Sequence, residues 1–123
     1  MKKVADEKIR IPMPGTPVRG SRSGDPIMAL FDLLGRRWAM GVLWVLNRQG
    51  ALTFRELQAA CETVSPSVLN TRLKELREAG LIEHSGNGYV STERGAQLFG
   101  LLEPLGSWAQ DWANTLTEKD TTD

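Results

Sequence analysis

The sequence predicts a mainly α-helical fold with a small β-hairpin, and three observations predict it. Asp25-Pro26 and Ser65-Pro66 each place a capping residue before a proline at the first helical position, and apolar residues at helical spacing follow both. Thr53 precedes Phe54-Arg55-Glu56-Leu57, with Glu56 three residues on, the pattern of a capping box. Two short β-prone runs, 81–85 and 89–91, flank Gly86-Asn87-Gly88, a polar turn that folds them into a hairpin.

The length of 123 residues suits one domain, and 41% hydrophobic against 24% charged residues permits a single modest core. One cysteine excludes an internal disulfide framework. The lone His84 and lone Cys61 cannot supply the usual three or four side chains of a zinc site. No nucleophile stands with a base, so no catalytic residues, metal or cofactor are expected. The start of the chain lacks the apolar run of an export signal, and no stretch approaches about eighteen apolar residues. A soluble cytoplasmic protein with no membrane partner is expected.

Fifteen bases balance fifteen acids, but their distribution is uneven. Lys2, Lys3, Lys8, Arg10, Arg19 and Arg22 face only Asp6 and Glu7 in residues 1–24. Arg36, Arg37, Arg48, Arg55, Arg72, Lys74 and Arg77 outnumber Glu56, Glu62 and Glu75 between them. The remainder is acidic, so one electropositive surface is expected on a neutral molecule.

Residues 1–24, rich in proline and glycine, read as a flexible basic arm, 25–116 as the folded domain, and 117–123 as a disordered tail. The first helix, 26–34, is apolar at Ile27, Leu30, Phe31 and Leu34, and Gly35 ends it. The second, from 37 to about 47, is apolar on almost every side and so should lie centrally. A short third helix from the Thr53 box reaches about Cys61, 62–64 form a turn, and the fourth helix, 65–79, closes at Gly80. After the hairpin, a last helix runs from Thr92 to about Leu116, with Pro104 expected to kink it.

That order of elements is a winged helix-turn-helix. On the fourth helix, steps of about 100° gather Val68, Leu69, Leu73, Leu76 and Ala79 on one side. Ser67, Thr71, Lys74 and Glu78 lie opposite, with Asn70 beside them. A helix that enters the major groove needs a polar face, small near its N-terminus, with donors that reach base edges. An ordinary surface helix explains any one of these residues; the preceding turn and following hairpin favour the groove.

The runs Ala29-Leu30-Phe31-Asp32-Leu33-Leu34-Gly35-Arg36-Arg37-Trp38, Phe54-Arg55-Glu56-Leu57, Val64-Ser65-Pro66-Ser67-Val68-Leu69-Asn70-Thr71-Arg72-Leu73-Lys74-Glu75-Leu76 and Gly80-Leu81-Ile82 resemble the HxlR-type winged helix regulators of bacteria. The resemblance covers roughly residues 25–116. It implies a homodimeric transcription factor bound to a double-stranded DNA operator, acting at the nucleoid and dimerising through its first and last helices. The interface expected from this is Ile27, Leu30, Phe31, Phe99, Leu102, Leu105, Trp108 and Trp112. Redox-sensing relatives carry a cysteine just before the proline of the first helix; here that residue is Asp25.

The expected DNA-contacting set begins with Arg36, Arg37 and Arg55, at the starts of the second and third helices, for phosphates. Ser65, Ser67, Asn70, Thr71, Arg72 and Lys74 follow on the fourth helix, although Arg72 is equally suited to an ion pair with Glu75. His84, Asn87 and Tyr89 flank the hairpin tip, where minor-groove or phosphate contact is common. Cys61, next to Glu62, reads as a small, partly buried residue rather than a reactive thiol. The four tryptophans read as core and dimer aromatics, with an effector cavity lined by some of them as the lesser alternative. A winged helix used only to bind protein is the alternative function, and it calls for an apolar patch where the fourth helix is polar.

Overall fold

The structure of the chain, a computed structural model, describes residues 11–122, with side chains to residue 118. Five helices and three short strands follow one another as α1 (Pro26–Leu34), α2 (Ala39–Gln49), β1 (Leu52–Thr53), α3 (Phe54–Ala60), α4 (Pro66–Glu78), β2 (Ile82–Ser85), β3 (Gly88–Ser91) and α5 (Glu93–Thr122). The mainly α winged helix-turn-helix is therefore the observed fold.

One core joins the elements. Val42, Leu43 and Leu46 of α2 meet Leu57 of α3, Leu69, Leu73 and Leu76 of α4, and Ile82 of β2. The inward leucines of α4 stand at i, i+4 and i+7, which is why its opposite face is left polar. Phe99 of α5 sets its ring edge-on to Trp44 of α2, with centroids 4.9 Å apart.

Two helix starts form as the sequence requires. Thr53 Oγ1 accepts from the Glu56 N–H while Glu56 returns its carboxylate to the Thr53 N–H, completing the capping box. Ser65 Oγ accepts from the Val68 N–H ahead of Pro66. Asp25 departs from expectation: its side chain makes no cap, and its N–H instead donates to Ser21 Oγ.

The second helix begins two residues later than expected. Trp38 adopts a left-handed backbone, φ +75°, and the chain turns through Arg36 and Arg37 before α2 starts at Ala39. The Trp38 ring packs against the core, which compensates for a conformation that non-glycine residues seldom adopt. Nor is α2 buried all round, since Met40, Gly41, Arg48 and Gln49 are exposed.

The hairpin is one part of a three-stranded antiparallel sheet in the order β1-β3-β2. Strand β1, only two residues long, pairs Leu52 with Tyr89 and Thr53 with Gly88. So short a run has no periodicity to read. The Gly86-Asn87 loop joins Ser85 to Gly88 with Gly86 at φ +62°, as a hairpin turn with glycine first requires. A Cβ on Gly88 would approach the Leu52 carbonyl oxygen to 2.9 Å, so glycine lets the wing lie directly on β1.

The termini correct two further expectations. Residues 11–24 are not a loose arm: the Gly15 N–H bonds the Gly24 carbonyl, Val18 bridges Ser21, and the Arg19 N–H reaches Asp32 on α1. The arm expected over residues 1–10 lies outside the described residues. Helix α5 continues through Pro104 to Thr122, so 117–122 are helical rather than a disordered tail.

Candidate nucleic-acid interface

Helices α3 and α4 are joined by a tight turn whose Cys61 and Val64 plug the core and whose Glu62 takes φ +64°. With Leu69, Leu73 and Leu76 held inward, Ser67, Asn70 and Lys74 stand exposed on the outer face of α4. These three side chains have no partner among the described residues. Thr71 is half-buried, and its hydroxyl donates to the Ser67 carbonyl at 3.0 Å, leaving it an acceptor toward a ligand. Ser65 is committed to its cap. Arg55 lies exposed at the beginning of α3.

Glu75 divides the arginines into two groups. It is the one buried charged residue among those described, 6% exposed, and each carboxylate oxygen takes one guanidinium: Arg36 at 2.7 Å and Arg72 at 3.0 Å. The Arg72 Nε also donates to the Arg37 carbonyl at 2.7 Å. Arg36 and Arg72 are thus turned inward to fasten α4 to the turn before α2, and for Arg72 this is the ion pair that the sequence offered beside DNA contact. A buried carboxylate without both partners would be strongly unfavourable, and that demand fixes them there. Arg37 remains exposed, its guanidinium 5.6 Å from the Trp38 ring centroid. Because α2 starts at Ala39, Arg36 and Arg37 precede the helix rather than form its first turn.

On the wing, His84 and Tyr89 are cross-strand partners with rings stacked at 4.6 Å. Tyr89 is half-buried against the core, whereas His84 and Asn87 are exposed. The outward set is therefore Arg37, Arg55, Ser67, Asn70, Lys74, His84 and Asn87. Sequence spacing had placed Glu75 beside Arg72, but nothing in it pointed to Arg36 across the fold.

The second candidate surface divides in the same way. From Glu103 to Glu118 every residue of α5 is exposed, including Leu105, Trp108, Trp112 and Leu116, and the rings of Trp108 and Trp112 stack 6.0 Å apart. Ile27 and Phe31 on α1 are also exposed. Phe99 is buried, and Leu102 and Leu30 are half-buried against the core, so these three are less exposed than the rest of the expected interface.

Cys61 is 5% exposed, and burial, with a smaller contribution from the Glu62 charge, raises its pKa above the ordinary thiol value. Among the described residues no three metal-ligating side chains gather, and no helix is long and apolar enough to cross a membrane.

Residues 33–117 match the family model described as HxlR-like helix-turn-helix. The chain is 34% identical over 89 residues to the HTH-type transcriptional regulator YvaP of Bacillus subtilis, across 66% of this chain and 81% of that protein. Its fold is similar to that of quinone-bound YodB from B. subtilis, with a TM-score of 0.65 and 30% identity over 70% of this chain and 96% of that one. A possible HxlR family transcriptional factor from Thermoplasma volcanium superposes with a TM-score of 0.63 at 29% identity, covering 73% and 86% of the two chains. These relatives are named as transcriptional regulators, not as enzymes.

Proposed function

Because this chain belongs to the HxlR-like helix-turn-helix family of DNA-binding transcriptional regulators, we propose that it acts as a homodimer seating α4 of each protomer in successive major grooves. The observation that carries this reading is the outer face of α4: Ser67, Asn70 and Lys74 are unpartnered polar side chains on a helix whose other face is anchored by three buried leucines. In this role Asn70 and Lys74 hydrogen-bond base edges and Thr71 accepts from them, while Arg37, Arg55 and Asn87 meet phosphates. His84, stacked on Tyr89, lies toward the minor-groove side.

The apolar face of α5 supports the dimer. Leu105, Trp108, Trp112 and Leu116, with Ile27 and Phe31, present more exposed apolar surface than soluble monomers usually leave open. A thiol switch of the kind implied for redox-sensing relatives has no group to act through at Asp25, and Cys61 is buried and protonated at neutral pH.

Selection of bound fragments from a random duplex pool tests the reading. It should enrich two related half-sites whose centres lie about 10 base pairs, or a multiple of that, apart. A pool that shows no enriched sequence contradicts it.

A further inference from the structure

We propose that the cavity between the N-terminal loop and the winged-helix body binds a small aromatic carboxylate that also carries a hydroxyl or amino group. This deepens the regulatory reading by naming a class of effector and rests on it only for that role; the site itself stands on the following geometry. The cavity measures about 400 Å³, within the range of small-molecule sites. Its apolar lining includes Ile11 and Met13 from the loop, Leu30 and Leu33 from α1, and Ala79 and Leu81 after α4. None of the four tryptophans lines it, so it is not the tryptophan cavity considered from the sequence.

Two charged side chains interrupt this lining: Glu78 at the end of α4 and Arg94 in the first turn of α5. Arg19, Arg36, Arg48 and Arg72 all hold carboxylates, whereas Arg94 and Glu78 have no partner among the described residues. The guanidinium fork matches a carboxylate, and the nearby N-terminus of α5 favours the same charge. The Glu78 carboxylate offers acceptors, so the group that faces it should donate. An aromatic ring fits the apolar remainder. Both residues are exposed at the edge of the cavity, so a dianion would meet Glu78 unfavourably and a neutral hydrocarbon would use neither charge.

The wall is held in place. The Gly15–Gly24 hydrogen bond at 2.9 Å and the Arg19–Asp32 bond at 3.1 Å fasten the loop to itself and to α1. Residues 11–14 also precede the 33–117 stretch that matches the family model, so this part of the wall lies outside the shared domain. Glu78 belongs to the helix that carries Asn70, and linkage requires any ligand that changes DNA affinity to bind more or less tightly to the DNA complex by the same factor.

The test is calorimetric titration of the full chain, without DNA, using para-hydroxyphenylacetate, para-aminobenzoate and their methyl esters. At least one acid should bind saturably, with its ester weaker by about tenfold, a difference of roughly 1.4 kcal/mol. Arg94→Gln should erase the difference between acid and ester. Glu78→Gln should erase the preference for para-hydroxyphenylacetate over unsubstituted phenylacetate. Circular dichroism matching the parent chain would show that both variants fold. Absence of saturable binding by both acids below about 1 mM, equal affinity of acid and ester, or an undiminished acid preference in Arg94→Gln would overturn the proposal. Because no DNA is present, failure here is separate from failure of the operator reading.

Discussion

Arg36 and Glu75 stand 39 residues apart in sequence and 2.7 Å apart in space, and their contact ties the turn before α2 to the middle of α4. Arg72 completes the tie by donating to the other Glu75 oxygen and to the Arg37 carbonyl. The angle of α4 on the body is thereby coupled to the left-handed turn at Trp38. Glu75→Ala would take the shared carboxylate away from two partly buried guanidiniums, and the chain should lose about 3 kcal/mol of stability. Urea unfolding checks this; a loss no larger than that of exposed Lys74→Ala would show that water replaces the carboxylate.

Exposed Arg55 should act as a phosphate contact rather than as a reader of sequence. In a dimer each such residue counts twice, so Arg55→Ala should reduce the slope of log affinity against log salt by about 2. The loss of affinity should be the same on specific and random duplexes. An unchanged slope would place Arg55 away from the DNA.

The apolar face of α5 should be closed by a second copy. Light scattering at micromolar concentration should give twice the 13.6 kDa chain mass. Trp108→Glu combined with Trp112→Glu should give the monomer mass, folded, with operator affinity sharply reduced. A parent chain that scatters as a monomer rules out this interface.

Cys61 has a raised folded-state pKa, chiefly from burial, so its contribution to stability is fully present below the ordinary thiol pKa and is lost as pH rises through the folded value. Cys61→Ser keeps a similar shape without that titration. The difference in stability between parent and variant should be constant near neutrality and narrow in alkaline solution. A difference that does not change there would mean the thiolate is as well accommodated as the thiol.

Much of this was legible because local chemistry and burial agreed. The Thr53 and Ser65 caps, the inward leucines of α4 and the Gly86 turn are all short-range signals, and each formed where the sequence placed it. What escaped was set by contacts distant in sequence. Arg36 looked like a free base at a helix start, because only the folded chain brings it to Glu75 and the left-handed Trp38 puts the start of α2 at Ala39. β1 is too short to show alternation, and its place depends on Gly88 letting β3 approach. Phe99, Leu102 and Leu30 carry the same apolar signal as Trp108 and Phe31, and burial alone separates core from exposed surface. The loop 11–24 looked loose from its prolines and glycines, whereas main-chain hydrogen bonds, which composition does not reveal, order it.

Competition binding with Asn70→Ala measures the central claim, that the outer face of α4 reads sequence. Asn70 is exposed and unpartnered, so its removal should leave the fold intact. Against the operator the variant should lose about 1–3 kcal/mol while its affinity for random duplex stays nearly unchanged. Equal losses on the two duplexes, or no loss on either, would contradict the account.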